Sequence, residues 1–353
     1  MIIRSAAWRW TAWSAAILLS TLASVSIVSD GADAPPSPAE FRRFERIYEP
    51  SAVQQLPDGR IIVLEDERSQ AIDILTLDAD GEFTEKVLRR PTALSWAFGD
   101  GAVHALEDLE AVDVDEQGFV YAITSHSRRE NGKRRSQREH LVRFRLDGER
   151  VTDFAKIGDL RKHIWAQHEF LKRSAKVRDV KDEGGFNIEG LSLDASRERL
   201  LIGLRGPLHD GKAIIATLEN PQGVFESGEE PRIAADLILL PLKGGGIRAI
   251  AYVPRLSGYL VISQRPSMKR NKAFKLWFWN GQPSHRPQRV RVDGVKELRR
   301  AEGVTPVTAE GFEGILIVSD DGEGVKRKPG HYLLASYDQL VVEKDAPNTG
   351  AGQ

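Results

Sequence analysis

One pattern recurs five times along this chain of 353 residues. A charged residue stands just before an apolar–polar alternation that closes on a turn. The copies begin "EPSAVQQLPDG" at Glu49, "EAVDVDEQG" at Glu110, "EGLSLDASR" at Glu189, "RAIAYVPRLSG" at Arg248 and "EGVTPVTAEG" at Glu302. Each continues through a longer apolar strand, a polar loop and a third strand. A fourth strand is predicted in "FTEKVLRR", "VTDFAKIG", "IAADLILLPL" and "RVRVDGV" for the first four copies. Four-stranded units that recur every 54 to 79 residues predict an all-β β-propeller, which curls repeats into a ring. Five repeats are counted, and six blades would follow if a degenerate unit lay within 150–185. The rival fold is a β-sandwich with coincidental spacing. The fifth copy lacks chain for its fourth strand, and "FRRFERIY" at 41–48 is the segment to supply it, putting both termini in one blade. The surplus in the longest interval, 159–183, predicts a short helical insertion on the surface, with Ile164, Phe170 and Leu171 as a partial stripe.

Residues 1–34 stand apart. Arg4 and Arg9 precede an apolar run from Thr11 to Val28 and then Ala32-Asp33-Ala34, the order of a secretory signal peptide. The alternative is an uncleaved N-terminal anchor, since the run approaches the roughly 20 residues that span a bilayer. Residues 35–345 then form a single propeller domain and 346–353 a disordered tail. The expected location is periplasmic or secreted, with membrane contact only through an uncleaved leader. The chain has no cysteine, which excludes disulfides, thiolate metal sites and a cysteine nucleophile. Its 50 basic and 51 acidic residues balance, so no global field recruits nucleic acid, and no specific nucleic-acid recognition is expected.

In a propeller blade the first strand lines the channel and the second runs antiparallel to it. The start of one and the end of the other therefore open on one face. That places Glu49, Glu110, Glu189 and Glu302 around a shared mouth, with Arg248 in the equivalent place of the fourth copy. Strand-two ends add Arg205, Arg265 and Asp320, with Ser125-His126 from the second copy. Four carboxylates around a narrow channel are costly unless compensated. Ca²⁺ could be held by Glu49, Glu110, Glu189 and Glu302, because it takes six to eight oxygens. Arg205, Arg248 and Arg265 could instead pair with them or with an anionic ligand. Each Glu could also accept backbone N–H groups of the next blade, a purely architectural role.

Loops on the same face are basic: "SRRENGKRRSQRE" at 127–139, which includes Arg134 and Arg135, "SMKRNK" at 267–272 and "VKRKPG" at 325–330. Such a rim would concentrate an anionic small molecule or polymer; the bland reading is charge for solubility. There is no GxSxG elbow, HExxH or phosphate-cradling glycine loop. His126 and Asp320 are the candidates to orient water.

At "FNIEGLSLD…LLIGLRGPL", "DLEAVDVD…VYAITSHS" and "EGVTP…ILIVSDDGE" the chain resembles a bacterial family of unknown function, number 3616. It also looks like the wider group of phytase-like, esterase-like propellers. That resemblance implies an acidic central site, calcium-bound in some members, acting on phosphoesters. Arg248 stands where glutamate is expected, and the clustered Asp of a multi-calcium site is absent. Two functions therefore compete. One is a propeller that binds an anionic or metal-bridged ligand at an acidic channel mouth and acts as a metal-assisted (phospho)ester hydrolase. The other is a non-catalytic scaffold that binds protein or an envelope polymer. Oligomeric state is not encoded in any of these features.

Overall fold

The computed structural model describes residues 38–343 except 66–71, 79–80, 89–102, 130, 179, 181–183, 266–272 and 324. The expected leader (1–34), the tail (346–353) and the basic segment 267–272 fall largely or wholly outside the described residues. Among the described residues no helix is long and apolar enough to cross a membrane.

The chain opens with β1 (Phe41–Arg43) and then builds five antiparallel sheets in order. Blade 1 holds β2 (Pro50–Gln55), β3 (Ile61–Glu65), β4 (Ile72–Leu77) and β5 (Phe83–Val87). Blade 2 holds β6 (Leu109–Val114), β7 (Val120–Thr124), β8 (Leu141–Asp147) and β9 (Arg150–Ile157). Two helices follow, α1 (Leu160–Gln167) and α2 (Glu169–Ser174). Blade 3 holds β10 (Asn187–Leu193), β11 (Leu200–His209) and β12 (Lys212–Leu218), then α3 (Pro221–Ser227) and the outer strand β13 (Ile238–Leu240). Blade 4 holds β14 (Gly246–Val253), β15 (Gly258–Gln264), β16 (Phe274–Trp279) and β17 (Gln288–Val292). Blade 5 holds β18 (Ala301–Ala309), β19 (Phe312–Ser319) and β20 (His331–Ser336).

The ring closes as the sequence predicts: β1 pairs with β20, Phe41 opposite Leu333, and supplies the missing fourth strand of blade 5. A last strand, β21 (Leu340–Val342), does something the repeat did not foretell. It crosses to blade 4 and pairs with β17, Val290 opposite Val342, as a fifth strand. Among the described residues of 150–185 there are β9, α1 and α2 and no sixth unit.

Why the inner strands read as near-continuous apolar runs is plain from the packing. Successive residues of a strand point to opposite faces, and both faces of each blade are covered by a neighbour. The buried side chains accordingly divide into five clusters, one for each blade interface. Within β6, Val112 packs toward blade 1 and its neighbour Ala111 toward blade 3.

The recurrent charged position is a β-bulge. In every blade the pairing of first and second strands slips, at Ser51, Glu110, Glu189, Arg248 and Glu302, and in blade 3 it slips a second time between Asn187 and Ile188. A bulge sets two residues against one and re-aims a side chain. The residue after the bulge is always small: Ala52, Ala111, Gly190, Ala249 or Gly303. A Cβ on Gly190 would lie 2.9 Å from Ile247 Cγ2 of blade 4. One on Gly303 would lie 2.7 Å from Val318 Cγ2 and 3.0 Å from the Val53 backbone nitrogen of blade 1. The small residue thus lets neighbouring inner strands approach.

The closing Asp of the second and third motifs has a separate duty. Asp115 Oδ1 accepts the backbone N–H groups of Gln117 and Phe119 at 2.9 Å each, and Asp194 Oδ1 accepts those of Glu198 and Arg199 at 3.0 and 3.2 Å. These are turn locks. Bonds between blades are made mid-strand: Asp113 Oδ2 accepts Leu193 N at 2.6 Å, Ser192 Oγ accepts Tyr252 N at 3.2 Å, and Gln55 exchanges two 2.8 Å bonds with the Thr308 backbone. Asp113 and Gln55 perform this architectural role, while Glu189 and Glu302 pair with arginines.

Over-packing at such a contact typically costs about 1–3 kcal/mol. Gly303→Ala is therefore expected to lower unfolding stability by about that amount in urea titration, whereas the outward-facing Gly311→Asn changes it little; equal stability of wild type and Gly303→Ala would contradict the inter-blade packing.

Candidate functional site

The first candidate is the axis. The inner strands β2, β6, β10, β14 and β18 neighbour one another in ring order, so their bulged residues converge. Arg248 is the hub. Its Nη1 pairs with Glu189 Oε2 and its Nη2 with Glu302 Oε1, and it feels the fields of Glu110 and Asp320 as well. Arg248, Glu189 and Glu302 are 6%, 2% and 7% exposed, so this is a buried charge cluster. Arg205 Nη1 and Asn187 Nδ2 donate to the other Glu189 oxygen at 2.9 and 2.7 Å. Burial works against the Arg248 charge, but the surrounding carboxylates overcome it and hold the guanidinium even more firmly protonated than usual. Burial pushes the Glu302 carboxyl up, and Arg248 pulls it back.

Asp320, at the end of β19, borders the cluster. Burial, reinforced by the charge of Glu302, pushes its carboxyl up to about 8, against the pull of Arg300, whose Nη2 lies 2.6 Å away, and of Arg248. At neutral pH it carries a proton and can donate one.

The sequence placed Glu49 in the ring; the strand register gives the bulged place to Ser51, and Glu49, two residues earlier, still lies near enough for its charge to act on Asp320. Glu65 Oε2 accepts the backbone N–H groups of Tyr48 and Glu49 at 2.8 and 3.0 Å, which fixes the chain before the bulge. Ser51 Oγ then donates to Leu109 O at 2.6 Å, tying blade 1 to blade 2. The rest of the ring is as read: Glu110, Glu189, Arg248 and Glu302. Arg205 joins the cluster. Arg265 is exposed, and no ion pair joins it to the cluster among the described residues. Glu65 has its own partner, Asp73, whose carboxyl is pushed up to about 9 by burial and by its hydrogen bond to Glu65, so the pair shares a proton.

Do these residues fit calcium? A hard cation needs several open carboxylate oxygens. Both Glu189 oxygens are engaged by arginines, and Glu302 turns to the same guanidinium. Among the described residues no group of three or more His, Asp or Glu side chains is arranged to hold a metal. A guanidinium stands where the cation would have to be. The donor set does not fit Ca²⁺, and no step is derived through it.

The basic loop 127–139 is likewise compensated from within. Arg129 Nη2 lies 2.6 Å from Glu107, Arg138 Nη2 lies 2.6 Å from Asp108, and Arg134 makes a two-pronged contact with Glu139 at 3.0 Å. Arg135 approaches Glu107 at 3.9 Å. These pairs fold the loop down instead of raising a cationic rim.

The second candidate is a cavity of about 200 Å³ beneath that loop. It lies on the same face, where the end of β7, the helical insertion and the approach to β10 meet. The insertion is more than a surface helix: it breaks at His168 into α1 and α2, and Leu160, Ile164 and Leu171 are fully buried among blade 2 and 3 side chains. Arg128, Arg134, Arg161, Lys172 and Lys176 line the cavity. So do Trp165, Val177, Val180 and Phe186, with the Trp165 and Phe186 rings edge to face at 5.8 Å. His126 completes it. It is 4% exposed and left-handed, with φ 54°; Asp108, which Ser125 bonds, is left-handed too, at φ 65°. Such backbone in non-glycine residues gathers at functional sites. Burial pushes the His126 imidazole down to about 4. Its polar neighbours are Thr124 and His140, with no member of the axial cluster among them, so His126 and Asp320 do not form one site.

Three lining residues carry a buried polar atom without a hydrogen-bond partner among the described residues: His126 Nε2, Arg161 Nε and Trp165 Nε1. Each such atom calls for a partner. Sequence reasoning named His126 and, in the basic loop, Arg128 and Arg134 but missed Arg161 and Trp165, because nothing in the spacing shows that the insertion folds back over blade 2.

Two outcomes follow for the axis. Arg248→Met strands two buried carboxylates and is expected to cost about 3–5 kcal/mol in guanidinium unfolding, most of it recovered by adding Glu189→Gln and Glu302→Gln. Asp320 keeps its proton in the native state up to about pH 8 but loses it near 4 in the unfolded chain. The native state therefore binds more protons across that window, and this contribution to stability is lost as pH rises through it. Asp320→Asn cannot ionise, so its melting temperature relative to wild type should climb from pH 5 to pH 9; a pH-independent difference would contradict the assignment.

Similar solved structures include a gluconolactonase of Xanthomonas campestris (11% identity, 84% of this chain and 90% of that one, TM-score 0.39). A protein of unknown function from Bacteroides thetaiotaomicron is also similar (10%, 84% and 72%, 0.37), as is the Cps50 (Swd1) β-propeller domain of Myceliophteria thermophila (8%, 79% and 68%, 0.31). No curated protein matches the chain in sequence. Residues 149–338, from the outer strand of blade 2 through blade 5, match the family described as Protein of unknown function (DUF3616), and the chain belongs to that family.

Proposed function

We propose that this propeller binds a small anionic ligand in the cavity between the blade 2 loop and the helical insertion, not at its axis. One observation carries the reading: among the described residues five cations, Arg128, Arg134, Arg161, Lys172 and Lys176, line a single cavity. The carboxylates that pair with them are Glu139, with Arg134 and Arg161, and Glu169, 3.7 Å from Lys172. Arg128 is held by two carbonyls, Ala175 O and Gly132 O at 3.0 Å each, and keeps its full charge for a guest. The axis by contrast compensates its own charge.

The ligand class expected from the sequence is thus retained and its site moved. At about 30 Å³ per water the cavity matches six or seven waters, which suits a small metabolite better than a polymer. The N-terminal pattern supports a periplasmic or extracellular setting for this binding, and the lack of cysteine is compatible with it. A hydrolytic role has one supporting observation, the protonated Asp320 at the axial mouth.

Thermal shift and calorimetric titration with glycerol 3-phosphate and with lactate test the proposal. Binding raises the melting temperature by mass action. Arg128→Gln with Lys176→Gln should weaken binding by about tenfold or more, since each lost charge contact is worth roughly 1 kcal/mol or above, while Arg327→Gln, on the exposed loop of blade 5, leaves it unchanged. Calcium in place of chelator should leave the melting point where it is. Unaltered affinity in the double variant would overturn the site, and a calcium-dependent rise would return the axis to consideration.

A further inference from the structure

We infer that the ring is closed by a proton-dependent latch, in which buried carboxyls of blade 1 hold the segment that joins β1 to β2. That segment, 44–49, carries the chain from the last blade back to the first. Blade 5 grips it through the backbone: Phe44 N donates to Gly330 O at 3.0 Å, and Gly330 N donates to Ile47 O at 2.9 Å. Blade 1 grips it with side chains. Glu85 of β5 accepts the N–H groups of Glu45 and Arg46 at 2.6 and 2.7 Å. Glu65, at the end of β3, accepts those of Tyr48 and Glu49 at 2.8 and 3.0 Å.

A third acid sets the latch. Asp73 stands opposite Val63 in β3, so Glu65, two residues on, projects from the same face. Glu85 joins that face opposite Leu75. Val63 and Leu75 belong to the apolar cluster between blades 1 and 5, which keeps water out. Asp73 and Glu65 are 1% and 2% exposed and hydrogen-bonded to each other. The Glu65 oxygen left for that bond is Oε1, because Oε2 takes the backbone. Neither Oε1 nor Asp73 Oδ2 meets a donor among the described residues. Ionised carboxylates only accept, so a proton has to lie between the two. Their burial is what the argument needs: no water can stand in for that proton.

Loss of the proton unlocks the segment. Burial, then the bond to Glu65 and its charge, push the Asp73 carboxyl up to about 9. The other charges that act on the pair are acidic as well, Glu49 before β2 and Glu85 in β5. From blade 5 the seam receives Tyr332, whose ring lies 4.9 Å from that of Phe44, and His331, engaged by Asp321 at 2.8 Å. Once the segment opens and water enters, Asp73 returns toward about 4, so opening releases the proton. The latch is at full strength below that window and is lost as pH rises through it. Each pH unit favours the open segment by up to about tenfold, and the effect levels off above about 9, where Asp73 is ionised in both states.

Hydrogen exchange of the full chain, read by mass spectrometry from pH 6 to pH 9 as protection relative to the intrinsic rate at each pH, tests the latch. Protection of the 44–50 amides should fall by about tenfold or more over that range. Protection of β12, in blade 3 and away from the seam, should fall less. Asp73→Asn cannot ionise, and its amide still donates to Glu65, so the variant's 44–50 segment should stay evenly protected throughout. Equal falls at 44–50 and at β12 in the wild type would overturn the latch, whether or not the variant folds. A fall in Asp73→Asn as steep as in the wild type would overturn the assignment to the shared proton.

Discussion

Arg248 sits between Glu189 and Glu302, buried at the axis, and the ring is organised around that contact. Three inner strands from three blades meet in it. Two carboxylates in such a place would repel each other and lack water; a fixed guanidinium, which cannot be deprotonated in a protein, resolves both problems at once. The geometry depends on the bulges. A regular strand would direct these side chains at a neighbouring blade, into one of the five apolar clusters, where a charge has no partner. The extra residue in each first strand turns the side chain toward the centre, and the small residue that follows lets the next strand come close enough to complete the circle. Charge cluster, bulge and glycine are therefore one device.

The same logic separates the duties within the repeated motif. Its first residue serves the axis, its second the inter-blade contact, its middle polar residue the bond to the neighbouring blade, and its last the turn. Residues that look alike in sequence do different things. Asp113 and Asp194 are both acids in a strand-and-turn motif, yet one receives a backbone N–H from blade 3 and the other locks its own hairpin. Ring closure adds a further constraint: β1 completes the last blade, and β21 then overlaps onto the fourth, so the two ends of the propeller are clasped from neighbouring blades.

How far could this be read from the amino acids? The blades, their strands and the closing segment were legible because propeller strands are local: each turn and alternation lies within a dozen residues. The opening at one face was legible for the same reason, since antiparallel pairing fixes which ends coincide. Register was not. Two positions separate Glu49 from Ser51, and only the strand pairing shows that the bulge falls after the proline. The compensation of charge was not legible either. Arg134 and Arg138 read as a cationic rim because their partners, Glu139 at the end of the loop and Asp108 just before β6, depend on a loop path that the sequence does not give. The cavity needed a still longer reach, from a loop after β7 to helices 35 to 50 residues on, and no periodicity encodes that fold-back.

The central claim is that the bulged positions converge on one buried guanidinium. A double-mutant cycle between Arg248 and Glu302, residues from different blades and 54 positions apart in sequence, tests it most directly. Arg248→Met, Glu302→Gln and their combination, each unfolded at pH 7, should yield a coupling free energy of about 2 kcal/mol or more, in the range of residues that share a buried charge network. A coupling near zero would mean that the two side chains do not meet, and the account of the ring would fail with it.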